Sequence, residues 1–245
     1  MTEGIGRFCI GRWSAWAPGV QDLSAWHAWI RGTRFEAPDQ QPDVSFLPAL
    51  LRRRLDRVGR MALQVAWRCA EGHSGLPLVL ASRHGSLART MELLECLARD
   101  EPLSPAAFSL SVHNSSAGLF SIARADRSPA TALAAGPRTM AAAVLEGVGM
   151  LMEGAFAVLV VYADETPPPE YRIYVETDAP VFALGLLLTV PDGKQPLCQL
   201  APVRSIATGL SPEVALMKFL VDDVPVARLD AGEPGWQLER LSAHT

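Results

Sequence analysis

Three short apolar runs constrain this chain most: Leu76 to Ser82 (LPLVLAS), Ala155 to Tyr162 (AFAVLVVY) and Val181 to Val190 (VFALGLLLTV). Runs of this length and composition read as buried strands. Between and before them lie segments with helical spacing. Arg57 to Glu71 sets Val58, Met61, Ala62, Val65 and Ala66 on one face, and Ser86 to Arg99 does the same with Leu87, Met91, Leu94 and Leu97. Pro137 to Glu153 reads as a third helix, with proline accommodated in its first turn. The alternation predicts an α/β fold with a mixed, mostly buried sheet. The most apolar stretch, Ala141 to Tyr162, contains Glu146 and Glu153. Two charges at that depth fit a buried helix followed by a buried strand, not a membrane span.

The remaining elements follow by pattern. Gly6 to Trp16 alternates as an opening strand, and Ser24 to Gly32 is a short helix stopped by glycine. Phe35 to Asp43 is a polar loop. Ser104-Pro105 marks a turn or helix entry before a segment rich in small residues, FSLSVHNSSAGLFSIA. Pro129 to Ala134 is a candidate strand, Tyr171 to Glu176 another, and Ser211 to Leu220 a helix. One domain over residues 1–245 is expected, because no linker is long enough to force a second.

The formal net charge of −4 gives no electrostatic case for nucleic-acid binding. Cys9, Cys69, Cys96 and Cys198 form no Cys-x-x-Cys pair, so neither a zinc site nor a disulfide framework is implied. Free thiols suit a reducing cytoplasm, and the N-terminus MTEGIGRF lacks the pattern of a secretion signal. No cofactor or metal is implied.

Four local features invite a functional reading. Gly72-His73-Ser74-Gly75 superficially suggests a hydrolase turn, but it precedes a strand and lacks the Gly-x-Ser-x-Gly order. His84 follows a strand, where sites often form, though a loop or capping histidine is the preferred reading. Arg52, Arg53, Arg54, Arg57 and Arg60 cluster at a helix start, either as a solvated face or as a docking patch for an acidic partner such as acyl carrier protein. Trp13, Trp16, Trp26 and Trp29 are expected to fill core, with a partner surface as the second choice.

Phe108 to Glu146 (FSLSVHNSSAGLFSIARADRSPATALAAGPRTMAAAVLE) resembles the N-terminal half of the β-ketoacyl synthases, which have a thiolase-like fold. In that family an Asn and then an Ala-Gly pair sit on a helix at the dimer interface. A loop with Arg and Gly-Pro follows, and a strand then leads to the nucleophilic Cys at the tip of a buried helix. Asn114, Ala117-Gly118, Ile122, Arg127 and Pro129 stand at the family spacing. The resemblance runs from Phe46 to Val190, leaving 191–245 as a divergent tail. The run SPAAFSLSVHNSSAG is most similar to short synthase-like proteins encoded with aryl polyene pathways.

The resemblance implies the N-terminal half of a thiolase-like fold, with the C-terminal half missing. Eight residues on from Pro129 the nucleophile position falls on Pro137, beside Gly136 and Arg138. Proline has no nucleophile and no backbone N–H for an oxyanion hole. The family's two active-site histidines belong to the second half, and beyond Val190 the one histidine is His244. The implied role is therefore a non-catalytic, chain-length-factor-like partner of a full-length ketosynthase, forming a heterodimer and helping to shape its acyl tunnel. The implied partner interface comprises Ser111, His113, Asn114, Ala117, Gly118, Ile122 and the strand Ala130, Thr131, Ala132 and Leu133. Two alternatives stay open: an acyltransferase or thioesterase using a Ser or Cys elsewhere, and a module that only binds carrier protein.

Overall fold

The computed structural model of the protein describes residues 4–37, 39–175, 180–203, 209–229 and 235–241. Among the described residues, eight strands form one mixed sheet in the order β3-β2-β4-β5-β1-β6-β8-β7. Strands β2 (Leu78–Ala81), β3 (Ala130–Leu133) and β4 (Ala157–Asp164) run parallel. The others join antiparallel: β5 (Phe182–Thr189) on β4, β1 (Ile5–Trp16) on β5, then β6 (Leu197–Val203), β8 (Gly235–Arg240) and β7 (Val226–Arg228).

The pleat explains why the apolar runs are continuous. In β4, Val158, Val160 and Tyr162 point into one core, while Leu159, Val161 and Ala163 point into the other. The first core is closed by helices α1 (Leu23–Ile30), α7 (Thr139–Met152) and α8 (Pro212–Val221). The second is closed by α3 (Arg57–Cys69) and α6 (Ser115–Arg124); the one-turn α2 (Ala49–Arg52) precedes α3, and α4 (Leu87–Ala98) follows β2. Asp56 starts α3 by accepting from the Gly59 amide at 2.8 Å, which satisfies one of the amides that a helix start leaves unpaired. Gly185 lets α3 lie close on β5, since a Cβ there would stand 3.0 Å from the Val65 carbonyl oxygen and from Cys69 Sγ. The tryptophans fill core as expected. Trp26 and Trp29 pack with Phe182 on one face, Trp16 lies in the other core, and Trp13 is half-buried.

One expectation needs correction and two need completing. Tyr171 to Glu176 is not a strand: Pro169–Tyr174 forms a 3₁₀ helix, and Glu176 lies outside the described residues. The prolines at 167–169 fix φ and remove amide donors, which disfavours sheet pairing there. The small-residue segment, which the sequence pattern left unassigned, is helical but not continuous. It breaks at residues 112–114 into α5 (Pro105–Ser111) and α6, with Val112 in extended geometry. The tail carries more structure than its pattern announced, because β6, β8 and β7 extend the sheet through short, half-polar strands.

Candidate functional site

The parallel strands β2, β3 and β4 end together, and one buried carboxylate at the end of β4 ties that end to the end of β2. Asp164, 1% exposed, accepts from Ser82 Oγ at 2.8 Å and from the Arg83 and His84 amides at 2.7 and 3.1 Å. Ser82 Oγ in turn accepts from the Gly85 amide at 2.8 Å. Burying a carboxylate is tolerable when several donors surround it. The Leu133 carbonyl at the end of β3 accepts from the Ser82 amide and, at 2.9 Å, from Nε2–H of His113. A carbonyl only accepts, so Nε2 carries the proton. His113 sits in the break between α5 and α6, and so ties that break to the strand ends. Sequence reasoning passed over Asp164; the available signal was an acidic residue closing an apolar run.

Beside this network, His84, Gly85, Leu87, Glu165, Pro167 and Pro168 line a pocket of about 160 Å³. Burial pushes the His84 imidazole below its ordinary pKa, partly offset by Asp164. Burial pushes the Glu165 carboxyl up, partly offset by Arg57. Ser82, His84 and Asp164 do not form a catalytic triad. The serine hydroxyl is 2% exposed and bonds directly to the carboxylate, with no imidazole between them.

Between β3 and α7 the chain makes a tight strand-to-helix turn. Here it reads Leu133-Ala134-Ala135-Gly136-Pro137-Arg138. No thiol or hydroxyl occurs in it. Gly136 has φ +55°, and Pro137 and Arg138 are exposed in a 3₁₀ turn. Thr139, the next hydroxyl, is buried; it accepts from the Ala135 amide and donates to the Gly136 carbonyl. Two of the thiols offer no substitute. Cys69 is buried and pushed up to about 12 by desolvation, and Cys198 to about 11 by the same cause. Ser74 stands exposed in the turn before β2.

The residues singled out for a partner interface divide. Strand β3 is one of the two outer strands of the described sheet, so its far edge has no neighbour among the described strands; Ala130 is exposed, and Thr131, Ala132 and Leu133 are half-buried. Ile122 on α6 and Phe108 on α5 are 63% and 62% exposed, and Val112 between the helices is exposed too. Asn114 and Gly118 face outward, and a Cβ at Gly118 would meet no atom within 4 Å. Ser111 is half-buried and bonds back to the Phe108 carbonyl. Ala117 turns inward to the core, so it is not on this surface.

The arginine cluster also divides. Arg57 reaches the Gln40 carbonyl and lies over Trp16, and Arg60 donates to the Arg52 and Leu55 carbonyls. Arg52 is half-buried, whereas Arg53 and Arg54 are exposed. Among the described residues, no group of three or more His, Cys, Asp or Glu is placed to hold a metal ion, and no helix is long and apolar enough to cross a membrane.

A parallel three-strand core, a strand-to-buried-helix turn and helices on both faces define a thiolase-like α/β protein. Residues 26–218 match the family model for the β-ketoacyl synthase N-terminal domain, and the chain belongs to that family. No curated protein sequence matches it. Among solved structures it is similar to a chain of the ketosynthase ApeO in complex with its chain length factor ApeC from Xenorhabdus doucetiae. That likeness has 24% identity over 98% of this chain and 100% of that one, with a TM-score of 0.82. It is also similar to the ishigamide ketosynthase/chain length factor, with 17% identity over 89% of this chain and 74% of that one and a TM-score of 0.61. A third likeness is to a type II polyketide synthase acyl-carrier protein in complex with its ketosynthase bound to the hexaketide. There the identity is 12% over 84% of this chain and 70% of that one, with a TM-score of 0.62.

Proposed function

We propose that the chain is a non-catalytic, chain-length-factor-like partner of a full-length ketosynthase in type II polyketide or fatty-acid-like synthesis, of the aryl polyene kind. The observation that carries this reading is the turn Leu133 to Arg138, which keeps the strand-to-helix geometry of a synthase but holds no nucleophile. An acyl-enzyme cannot form there. The free β3 edge, flanked by Phe108, Val112 and Ile122, supports a partner, because an exposed strand edge with apolar neighbours is otherwise a site of aggregation. The similarity to ketosynthase and chain length factor complexes supports the kind of partner. The run SPAAFSLSVHNSSAG supports the pathway.

In this reading Gly118 lets a partner element approach α6 closely. Arg53 and Arg54, the exposed members of the basic cluster, are the candidates for carrier-protein contact. Arg57 and Arg60 hold the local fold instead.

Co-expression with a full-length ketosynthase encoded beside the chain, with mass measured by light scattering, tests the proposal. A one-to-one complex that condenses acyl and malonyl carrier-protein substrates, with no condensation by the lone chain, is expected. Gly118→Trp should abolish the complex while the lone chain stays folded. Arg53→Glu with Arg54→Glu should weaken carrier-protein binding but not pairing. Condensation by the lone chain, or covalent labelling of it by an acyl-thioester mimic, would overturn the reading in favour of an enzyme.

A further inference from the structure

The pocket of about 160 Å³ at the strand ends combines apolar walls with two titratable groups. Leu87 and Ala88 at the start of α4, and Pro167 and Pro168 after β4, supply the walls; His84 and Glu165 supply the polar groups. Both sides are pinned from behind. The Arg83 and His84 amides donate to Asp164, and the Gly85 amide donates to Ser82 Oγ. The Pro167 carbonyl accepts from Arg172 Nε at 3.4 Å, and the Pro168 carbonyl accepts from the Tyr171 amide at 2.9 Å. Proline fixes φ and carries no amide N–H, so these two residues bring no backbone donor that needs a partner. The pocket is therefore formed before any ligand arrives.

One atom in it calls for a partner. His84 Nε2 is buried and has no hydrogen-bond partner among the described residues. Leaving such an atom unpaired costs free energy, and native proteins leave few. Burial also holds the His84 imidazole below its ordinary pKa and the Glu165 carboxyl above its own, so the pocket disfavours charge on both.

Size and charge narrow the class of ligand. A cavity of about 150 Å³ holds one benzene molecule, so this pocket takes a single six-membered ring. Glu165 in the wall and Asp164 behind His84 oppose an anion. Arg57 already offsets the charge of Glu165, so a cation gains little there. A hydroxyl suits the site, because it both donates and accepts. It can serve Nε2 in either tautomer and Glu165 in either charge state.

We infer that this pocket is a binding site for a small neutral ring bearing a hydroxyl, a phenol or cyclic alcohol, held through His84 Nε2 and Glu165 with Leu87 and Pro167 as apolar contacts. The site is built from this chain alone, so the inference stands apart from the partner reading above.

Titration of the full chain with 4-methylphenol, toluene, benzylamine and benzoate tests it. Ligand-observed NMR gives the affinities, and the imidazole C–H resonances of His84 give the location. 4-Methylphenol should bind saturably with a Kd of about 1 mM, the scale for so few atoms, and should shift the His84 resonances. Toluene, which lacks the hydroxyl, should bind about tenfold more weakly. Benzylamine and benzoate should not compete. His84→Phe should erase the preference for 4-methylphenol over toluene. Ala88→Trp, at an exposed position of the wall, should block both rings while the chain stays folded. Toluene binding as tightly as 4-methylphenol, tighter binding of either charged probe, or an unchanged preference in His84→Phe would overturn the proposal. So would the absence of saturable binding by any probe, which would make water the partner of His84 Nε2.

Discussion

Helices α3 and α4 have similar lengths and similar apolar spacing, yet they end in opposite places. Nine residues of α3 are buried, from Val58 to Cys69, whereas α4 buries none. The first lies across β1, β4 and β5 and seals a core; the second packs mainly on another exposed helix. Periodicity tells that a face is apolar but not what will cover it. In α3 the cover is the chain's own sheet. In α4 no such cover occurs among the described residues, and Leu94 and Leu97 stay exposed.

The sharpest way to break this comparison is to truncate one residue in each helix. Met61→Ala should destabilise the lone chain by about 3 kcal/mol through the cavity it leaves. Leu97→Ala should change it by no more than about 0.5 kcal/mol, as for a surface position. Thermal melts of the two variants check this, and equal losses would show that α4 is packed after all.

A smaller effect is expected at the strand ends. Asp164→Asn keeps the shape but turns an acceptor of three hydrogen bonds into a group with one acceptor oxygen. A loss of about 2 kcal/mol is expected in urea unfolding, because buried donors are left without a full set of partners. It should also loosen residues 82–85, read as faster amide exchange there.

The pocket between these ends should respond to pH, in two opposed senses. His84 has a folded-state pKa below its ordinary 6.5, so its contribution to stability is present above that value. It is lost as pH falls through the folded-state pKa, because the unfolded chain then binds more protons. Glu165 is raised above its ordinary 4.5, so its contribution is present below that value and is lost as pH rises through the folded-state pKa. In melting temperature against pH, His84→Gln should flatten the acid-side fall, and Glu165→Gln should remove the loss on raising pH.

The smallest effect should come from the outer side of α4. Arg99 and Glu95 pair at 2.8 Å, one helical turn apart and more than half exposed. Glu95→Ala should shift stability by about 0.5 kcal/mol at most, and less in high salt.

Much of the fold was legible where local pattern and burial agree. The runs at 76–82, 155–162 and 181–190 became β2, β4 and β5 because a strand buried on both faces has no polar positions to show. The helices at Arg57, Ser86 and Pro137 declared themselves by spacing. The 3₁₀ helix at Pro169–Tyr174 was misread because Tyr, Ile and Val carry strand propensity while the prolines before them decide the backbone. Strands β6, β7 and β8 were missed because edge positions are half-exposed and short, so their pattern is weak. Of the candidate surface, the free β3 edge followed from the resemblance, but nothing in the sequence told that Ala117 faces inward while Gly118 faces out.

By itself, the sequence determined the class of fold, the family and the absence of a nucleophile between Leu133 and Arg138. Those depend on residue identity and short-range order. Only the tertiary structure decided which charges are engaged and which surfaces are left over. Arg57, Arg60 and Arg89 found backbone carbonyls, Arg53 and Arg54 did not among the described residues, and Asp164 joined the ends of β2 and β4, which lie far apart in the chain. Hydrogen-bond partners and uncovered faces are set by which segments meet in space, and that is a property of the whole fold, not of any local run.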